Sequence, residues 1–289
     1  MMGPGKKEKK RLRNKEEEKN SFPDMDQVKD SEMNWNKVWD DLLQNHFYRE
    51  KVQICRTQEE VDRAVREGLP AVGQEKGDVR LKNCTYIWQP EDLSQAPDDL
   101  LLLAYCRHFG IPMRMIESRR LIIRELSMDD LPALLAIYRE PGMTDYIDPL
   151  PEEAEEKEEL SVYISKVYGL YNYGLWAVTD KETGALIGRA GIESKLGFPE
   201  DMVELGYQIA PHLWGMGFGM EAVRAVLKYV REELPSIHKV IARVRDGNTA
   251  SVRILEEEGF QESDAGKSLS RQAERNREAC QARLFELNL

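Results

Sequence analysis

Between Met202 and Val230 the hydrophobic pattern changes period. Val203, Leu205, Tyr207 and Ile209 alternate with Glu204, Gly206 and Gln208, the two-residue repeat of a strand with unlike faces, and Pro211 ends it. After Trp214-Gly215-Met216-Gly217-Phe218-Gly219, the apolar residues Ala222, Val223, Val226, Leu227 and Val230 recur every three or four positions, which predicts a helix with one buried stripe. Strand, three-glycine turn and helix thus follow one another directly.

The same two periods place the remaining elements. Upstream, Leu121–Leu126 reads as a strand. Ser127 with Asp130 three places on opens a helix over Leu131–Tyr138, and the acidic run at 151–160 leads into a helix reaching about Tyr168. Gly174–Thr179 and Ala185–Ile192 are two alternating runs joined by Asp-Lys-Glu-Thr-Gly, a hairpin signal. Downstream, His238–Val244 predicts a strand and Asn248 starts a helix to about Glu257. A polar span from Glu262 to Glu278 precedes a closing strand over Cys280–Leu287.

Nearer the amino terminus, Trp35–Tyr48 is an amphipathic helix. Short strands at Lys51–Cys55, Leu69–Gly73, Thr85–Trp88 and Met113–Glu117 alternate with helices opened by Thr57 and by Asp98. That alternation predicts a small, Rossmann-like α/β module with parallel strands. Residues 1–34, nearly devoid of apolar side chains, predict a disordered tail. The expected organisation is tail 1–34, small α/β domain 35–117 and larger α/β domain 118–289.

Composition narrows the function. A formal net charge of −11 argues against a general nucleic-acid binder, whose affinity rests on neutralising phosphates, and favours cationic or neutral partners. The basic run KKEKKRLRNK near the start is expected to be a solvated tail. Cys55, Cys84, Cys106 and Cys280 are scattered, with neither zinc spacing nor a disulfide framework, so no metal is expected and the thiols suit a reducing cytoplasm. No apolar run is long enough for a membrane span or a signal-peptide core, so no membrane partner is expected. The small module carries no phosphate loop, nucleophile elbow or metal spacing, and His108 on its apolar helix is expected to pack.

The glycine turn is where chemistry concentrates. Glycines let backbone N–H groups approach a ligand, and a helix start adds unpaired donors and the positive end of its dipole, so a pyrophosphate can sit there. Tight packing is the competing use of such a turn. The Gly-Lys-Ser/Thr ending of nucleoside-triphosphate loops is absent, and Gly215, Gly217 and Gly219, spaced two apart, do not form a GxGxxG fingerprint.

Four stretches in order carry a resemblance: RLIIREL, LWAVTDKETGALIGRAGI, VELGYQIAPHLWGMGFGMEAV and DGNTASVRILEEEGF. On these, residues 118–289 resemble the GNAT superfamily of N-acetyltransferases, most closely the branch containing ribosomal-protein N-terminal acetyltransferases. The resemblance implies a mixed, splayed central sheet that binds acetyl-CoA, as co-substrate, between its two central strands. The family's R/Q-x-x-G-x-G/A has Trp214 in the Arg/Gln position, with Gly217 and Gly219 matching; Trp-Gly-x-Gly is common in the favoured branch. By that match Gly215, Met216, Gly217, Phe218, Gly219 and Met220 hold the pyrophosphate, while Gln208 and Ile209 meet the pantetheine arm. Asn248 matches the family's pantetheine Asn, with Ser251 one turn on; Asn248 can equally be a helix cap.

Acetyl transfer to an amine calls for a base, because amines are protonated at neutral pH. Glu204, on the strand where the family often carries its base, is the first expectation, and Glu193, ending the preceding strand, the second. Many relatives place a tyrosine acid seven residues after the Asn; here that position is Leu255, and Tyr207, Tyr171 and Tyr173 are the remaining phenols considered. The expected acceptor is a primary amine, either a protein N-terminus or a small cationic amine drawn by the acidic run at 151–160. A non-catalytic acetyl-CoA sensor or docking module is the alternative. Monomer and dimer both stay open.

Overall fold

A computed structural model describes residues 35–75, 80–88, 98–263 and 282–289. The expected tail and most of the polar span after Glu262 lie outside the described residues. An amphipathic helix, α1 (Trp35–Asn45), buries Trp35, Val38, Trp39 and Leu42, and Trp39 Nε1 donates to Pro112 O at 2.8 Å. A short turn of helix, α2 (Tyr48–Lys51), then leads into β1 (Gln53–Cys55). Helix α3 (Gln58–Arg66) opens on the expected capping box, in which the backbone N of Thr57 donates to Glu60 Oε2 at 3.1 Å. Strands β2 (Ala71–Gln74) and β3 (Tyr86–Trp88) complete a three-stranded parallel sheet in the order β1-β2-β3.

Helix α4 (Asp98–Phe109) precedes β4 (Arg114–Glu117). The sequence pattern suggested β4 as a further parallel strand of the small sheet. The structure instead pairs it antiparallel with β5 (Leu121–Arg124), as an edge of the large sheet. The three-residue link to β5 allows a hairpin, and β4 takes that local partner although the stretch through α4 was long enough for a parallel crossover from β3. The segments are also tied by a buried ion pair. Both guanidinium ends of Arg107 on α4 donate to Glu125 at 2.5 Å, and Met113 N adds a third bond to the same carboxylate at 3.0 Å.

After β5, Ser127 and Asp130 form the expected cap, with Ser127 N donating to Asp130 Oδ2 at 2.7 Å, and α5 (Leu131–Tyr138) follows. Helix α6 (Glu153–Val162) continues through a π-helical turn at Tyr163–Val167 into the short α7 (Tyr168–Tyr171). The hairpin is β6 (Leu175–Asp180) and β7 (Leu186–Glu193), followed by β8 (Met202–Ile209), α8 (Phe218–Glu233), β9 (Lys239–Arg245) and α9 (Thr249–Glu257). A short β10 (Gln261–Glu262) and β11 (Ala282–Asn288) end the described chain. The eight-stranded sheet runs β10-β11-β9-β8-β7-β6-β5-β4, and among the described residues β8 and β9 are its one parallel pair. Ala222, Val223, Val226, Leu227 and Val230 of α8 pack on the sheet in the main core with Trp176, Ala190, Val203 and Leu205.

One feature of this sheet positions the site. β8 pairs with β9 only from Met202 to Glu204, although the strands continue to Ile209 and Arg245. Beyond Glu204 they part, and β8 keeps its partner only on the β7 side, down to Ile209 opposite Gly188.

Candidate functional site

The splay opens onto a cavity of about 740 Å³ whose lining includes Tyr207, Gln208 and Ile209 of β8, the glycine turn, and the start of α9 from Asn248 to Ser251. Gly215 and Gly217 have φ of +78° and +79°, left-handed backbone that side chains disfavour, so the turn depends on glycine there. The first helical bond of α8 runs from Glu221 N to Gly217 O at 3.1 Å, which leaves the N–H groups of Phe218, Gly219 and Met220 without an intrahelical acceptor. A Cβ on Gly219 would meet Ile254 Cδ1 at 3.3 Å, Tyr207 Cε2 at 3.8 Å and Ile209 Cγ1 at 3.9 Å, all residues of the cavity wall. The cradle therefore combines orphan donors with a missing side chain at the point of closest approach, which suits a pyrophosphate and the narrow arm attached to it.

Backbone direction on β8 follows from one bond. Ala210 N donates to Ile187 O across to β7 at 2.8 Å; N–H groups alternate along a strand, so Tyr207 and Ile209 direct theirs to the open side. Trp214 Nε1 donates to Ile209 O at 2.6 Å, so the residue in the Arg/Gln position of the family pattern ties the glycine turn to the strand end.

Of the cofactor residues expected from sequence, Gln208, Ile209, Gly215, Gly217, Phe218, Gly219, Met220, Asn248 and Ser251 line this cavity, and Met216 does not. Met216 O instead accepts from Arg120 Nη1 at 3.0 Å. Arg120 also lies over the Phe218 ring at 4.1 Å and donates from Nε to Glu221 at 2.6 Å, while its backbone N donates to the other oxygen at 2.7 Å. Burial pushes the Glu221 carboxyl up, but these bonds and one from Ser118 Oγ outweigh it and hold the group below the usual carboxylate range. Asn248 acts as a cap, its Oδ1 accepting from Ser251 N at 3.1 Å, and lines the cavity as well.

A second cavity, of about 600 Å³, includes Glu204, Arg189, Tyr138, Tyr163 and Glu156 in its lining, and Gln208, Tyr146 and Ile147 line both cavities. Glu204 stands opposite Glu193 across the β7–β8 pair. Glu193 does not line either cavity; it accepts from Tyr163 Oη at 2.9 Å and Lys195 Nζ at 2.6 Å. Glu204 has Arg243 Nε at 3.6 Å. Tyr138 Oη donates to Gln208 Oε1 at 2.5 Å, and Arg189 donates to both, so the Gln208 side chain serves the second cavity. Burial raises the Tyr138 phenol against the opposing pull of Arg189; burial likewise raises Glu156, with Arg189 opposing and Glu159 adding to the rise.

Leu255 is fully buried in the core. Tyr207, pushed up to about 12 mainly by burial, sits with its hydroxyl 3.5 Å from Ser251 O. Tyr171 and Tyr173 lie against one another with their rings tilted and the ring centroids 5.6 Å apart, and line neither cavity. His108 Nε2 lies 3.0 Å from Gly68 O. Sequence reasoning missed Tyr138, Arg189, Tyr146, Tyr163 and the Arg120 brace. Tyr138 ends an apolar helix and Arg189 sits in a strand, and neither position carries a local signal; the placement of Tyr163 depends on a π-helical turn. Among the described residues no group of His, Cys, Asp and Glu could hold a metal ion, and no helix is long and apolar enough to cross a membrane.

Comparison with known proteins matches residues 120–261 to the family described as "Acetyltransferase (GNAT) domain". The uncharacterized protein YkkB of Bacillus subtilis (strain 168) is 31% identical over 124 residues, 43% of this chain and 71% of that protein. The uncharacterized N-acetyltransferase YoaA of the same organism is 31% identical over 150 residues, 51% of this chain and 82% of its own. Among solved structures, the ribosomal alpha-N-protein acetyltransferase RimL in complex with coenzyme A aligns with a TM-score of 0.50 at 13% identity, over 61% of this chain and 98% of that one. At that identity the likeness speaks to the fold.

Proposed function

The chain belongs to the GNAT family of N-acetyltransferases and is an acyltransferase; we propose that it transfers the acetyl group of acetyl-CoA to a primary amine by direct attack, with the two substrates in the two adjoining cavities. The observation that carries this reading is that one cavity holds the glycine cradle and the other Glu204, and that they meet at Gln208, Tyr146 and Ile147. The orphan donors and the absent side chain at Gly219 suit acetyl-CoA, which as co-substrate would supply the activated thioester.

In this mechanism the N–H groups of Phe218 to Met220 hold the pyrophosphate, and the open N–H groups of Tyr207 and Ile209 bind the pantetheine arm and the carbonyl oxygen that gains charge. Glu204 removes one proton from the incoming ammonium, directly or through water. The amine nitrogen then bonds to the acetyl carbon as the carbon–sulfur bond breaks; its second proton ends on the departing thiolate, giving an amide, a thiol and one proton released to solvent. Holding the two reactants in adjacent cavities is worth roughly 7–11 kcal/mol when geometry is good, so positioning supplies much of the rate.

The acceptor class at this level is a protein N-terminus or a small amine. Residues 118–289 are the catalytic domain in this reading, with residues 35–117 braced against it through Arg107 and Glu125. The described cysteines, Cys55, Cys84 and Cys106, are unpaired, which supports a reducing, cytoplasmic setting. The test is thiol release from acetyl-CoA with a panel of amines and N-terminal peptides. Amine-dependent release that disappears in Glu204→Gln supports the reading; binding of acetyl-CoA without transfer to any amine refutes it.

A further inference from the structure

The second cavity is charged with both signs, and the signs are sorted by element. Glu156 comes from α6 and Glu204 from β8, whereas Arg243 and Arg245 come from β9 and Arg189 from β7. A site built for a polyamine would be acidic throughout, because a second positive charge on the ligand would be repelled by those arginines. Resting on the acetyltransferase reading above, we propose that the acceptor is a small amine that also carries an anionic group, a carboxylate or a phosphate, with its amine at Glu204 and its anion at Arg243 and Arg245.

Three observations carry this. Arg243 and Arg245 are alternate residues of β9 and so share one face, about 7 Å apart along the strand. Both stand beyond Ile241, where β9 has left β8 and the face is no longer shared with a neighbouring strand on that side.

Their existing partners are also weak. Arg243 has a side chain 55% exposed, and among the described residues its ion pair is with Glu204 at 3.6 Å, too long for a good hydrogen bond. Arg245, its side chain 23% exposed, donates a hydrogen bond to Asp148, whose own side chain is 88% exposed. Exposed pairs are worth about 0–1 kcal/mol, and the Arg243 pair is exposed on its arginine side; Asp148 regains nearly full hydration on release, so an incoming anion can take its place on Arg245. The structural arginine Arg124 is held differently, gripping Asp130 through two hydrogen bonds at 2.8 and 2.7 Å. Guanidinium forks match the two oxygens of a carboxylate or phosphate, which is the geometry that Arg243 and Arg245 keep available.

The third observation is proximity. Glu204, opposite Ile241 at the last β8–β9 pair, has Arg243 of the next same-face position 3.6 Å away, so amine and anion are bound by neighbouring groups and the acceptor is compact, with only a few bonds between its two charges. That favours amino acids and aminoalkyl phosphates over long diamines.

The test measures acetyl transfer and, in parallel, calorimetric binding in the presence of coenzyme A. The probes are the common amino acids, β-alanine and phosphoethanolamine, set against ethanolamine and 1,4-diaminobutane. The expected result is at least a tenfold higher kcat/KM for the best anion-bearing amine than for either control. In Arg243→Gln and Arg245→Gln that ratio should fall about tenfold, and in the double charge reversal Arg243→Glu/Arg245→Glu preference should turn towards the diamine. The carboxylate and phosphate arms identify which anion is taken. A wild-type enzyme that uses the diamine as well as any anion-bearing amine, or a ratio unmoved by the arginine substitutions, overturns the proposal. If nothing is acetylated, the binding arm still decides: tighter binding of an anion-bearing amine that needs the arginines upholds this inference while the transfer reading fails, and its absence overturns both.

Discussion

Replacing Gly219 by alanine separates ligand binding from folding. Gly219 is the second residue of α8 and has ordinary helical backbone, so alanine is not strained there and should gain up to about 1 kcal/mol in helix propensity. The added methyl would touch Ile254 Cδ1 at 3.3 Å and make ordinary contacts with Tyr207 and Ile209 at 3.8 and 3.9 Å, a tight fit at the end of one flexible side chain. The two effects oppose each other, and the stability of the free protein should change by no more than about 1 kcal/mol. The ligand fares differently, because in the proposed binding mode the methyl sits where the arm of acetyl-CoA would pass between α8 and β8. Crowding of that kind costs about 1–3 kcal/mol, or roughly a 5- to 150-fold rise in Kd. Calorimetric titration of acetyl-CoA and urea unfolding on one preparation would measure both. Gly217→Ala is the contrasting control: its φ of +79° makes alanine strained by about 1–2 kcal/mol while the methyl meets only Arg120 Nη2 at 3.5 Å. A Gly219→Ala protein that binds acetyl-CoA as tightly as the wild type, or that loses more than about 2 kcal/mol of stability, refutes the placement of the ligand against this turn.

Glu204→Gln should lower kcat by about 10²–10⁴ and leave the affinity for acetyl-CoA unchanged, as expected for a base in the acceptor cavity; a parallel loss of cofactor affinity would argue for a structural role. Glu221→Gln tests the brace under the glycine turn. The Glu221 carboxyl is held below its usual range, so it stabilises the fold above the unfolded value of about 4.3 and that contribution is lost as pH falls through the lowered value. Urea midpoints followed from pH 7 to pH 3 should therefore fall less steeply in Glu221→Gln, and equal slopes would count against the brace. Arg107→Ala strands Glu125, whose side chain is only 2% exposed, and should cost about 3–5 kcal/mol at pH 7. Burial already raises the Glu125 carboxyl despite Arg107, and a raised group stabilises below its unfolded value and loses that as pH rises through the folded one; the deficit of Arg107→Ala should thus shrink towards pH 4, and a pH-independent deficit would refute the account.

Much of this molecule was legible without coordinates, for identifiable reasons. Strand and helix periods are set by local backbone geometry, so β8 and the β6–β7 hairpin stand within a residue of where the alternation puts them, and α8 contains its whole predicted stripe. Thr57 and Ser127 announce their helices because a cap is a contact between residues three apart. The order of four motifs identified the family and indicated which residues to look for around the cradle. The partner of β4 was not legible, because the connections on its two sides allowed either a crossover or a hairpin and only packing chose between them; nor was the diversion of Met216 to Arg120, a contact across 96 positions.

The amino-acid sequence by itself determined the elements, their order and the glycine turn. Tertiary structure alone decided that β8 and β9 part after Glu204, that Gln208 turns its side chain to Tyr138 and Arg189, and that Arg243 and Arg245 face the same cavity as Glu204. Periodicity is written into neighbouring residues, whereas a cavity is made where packed elements fail to meet, and its chemistry comes from side chains tens of residues apart.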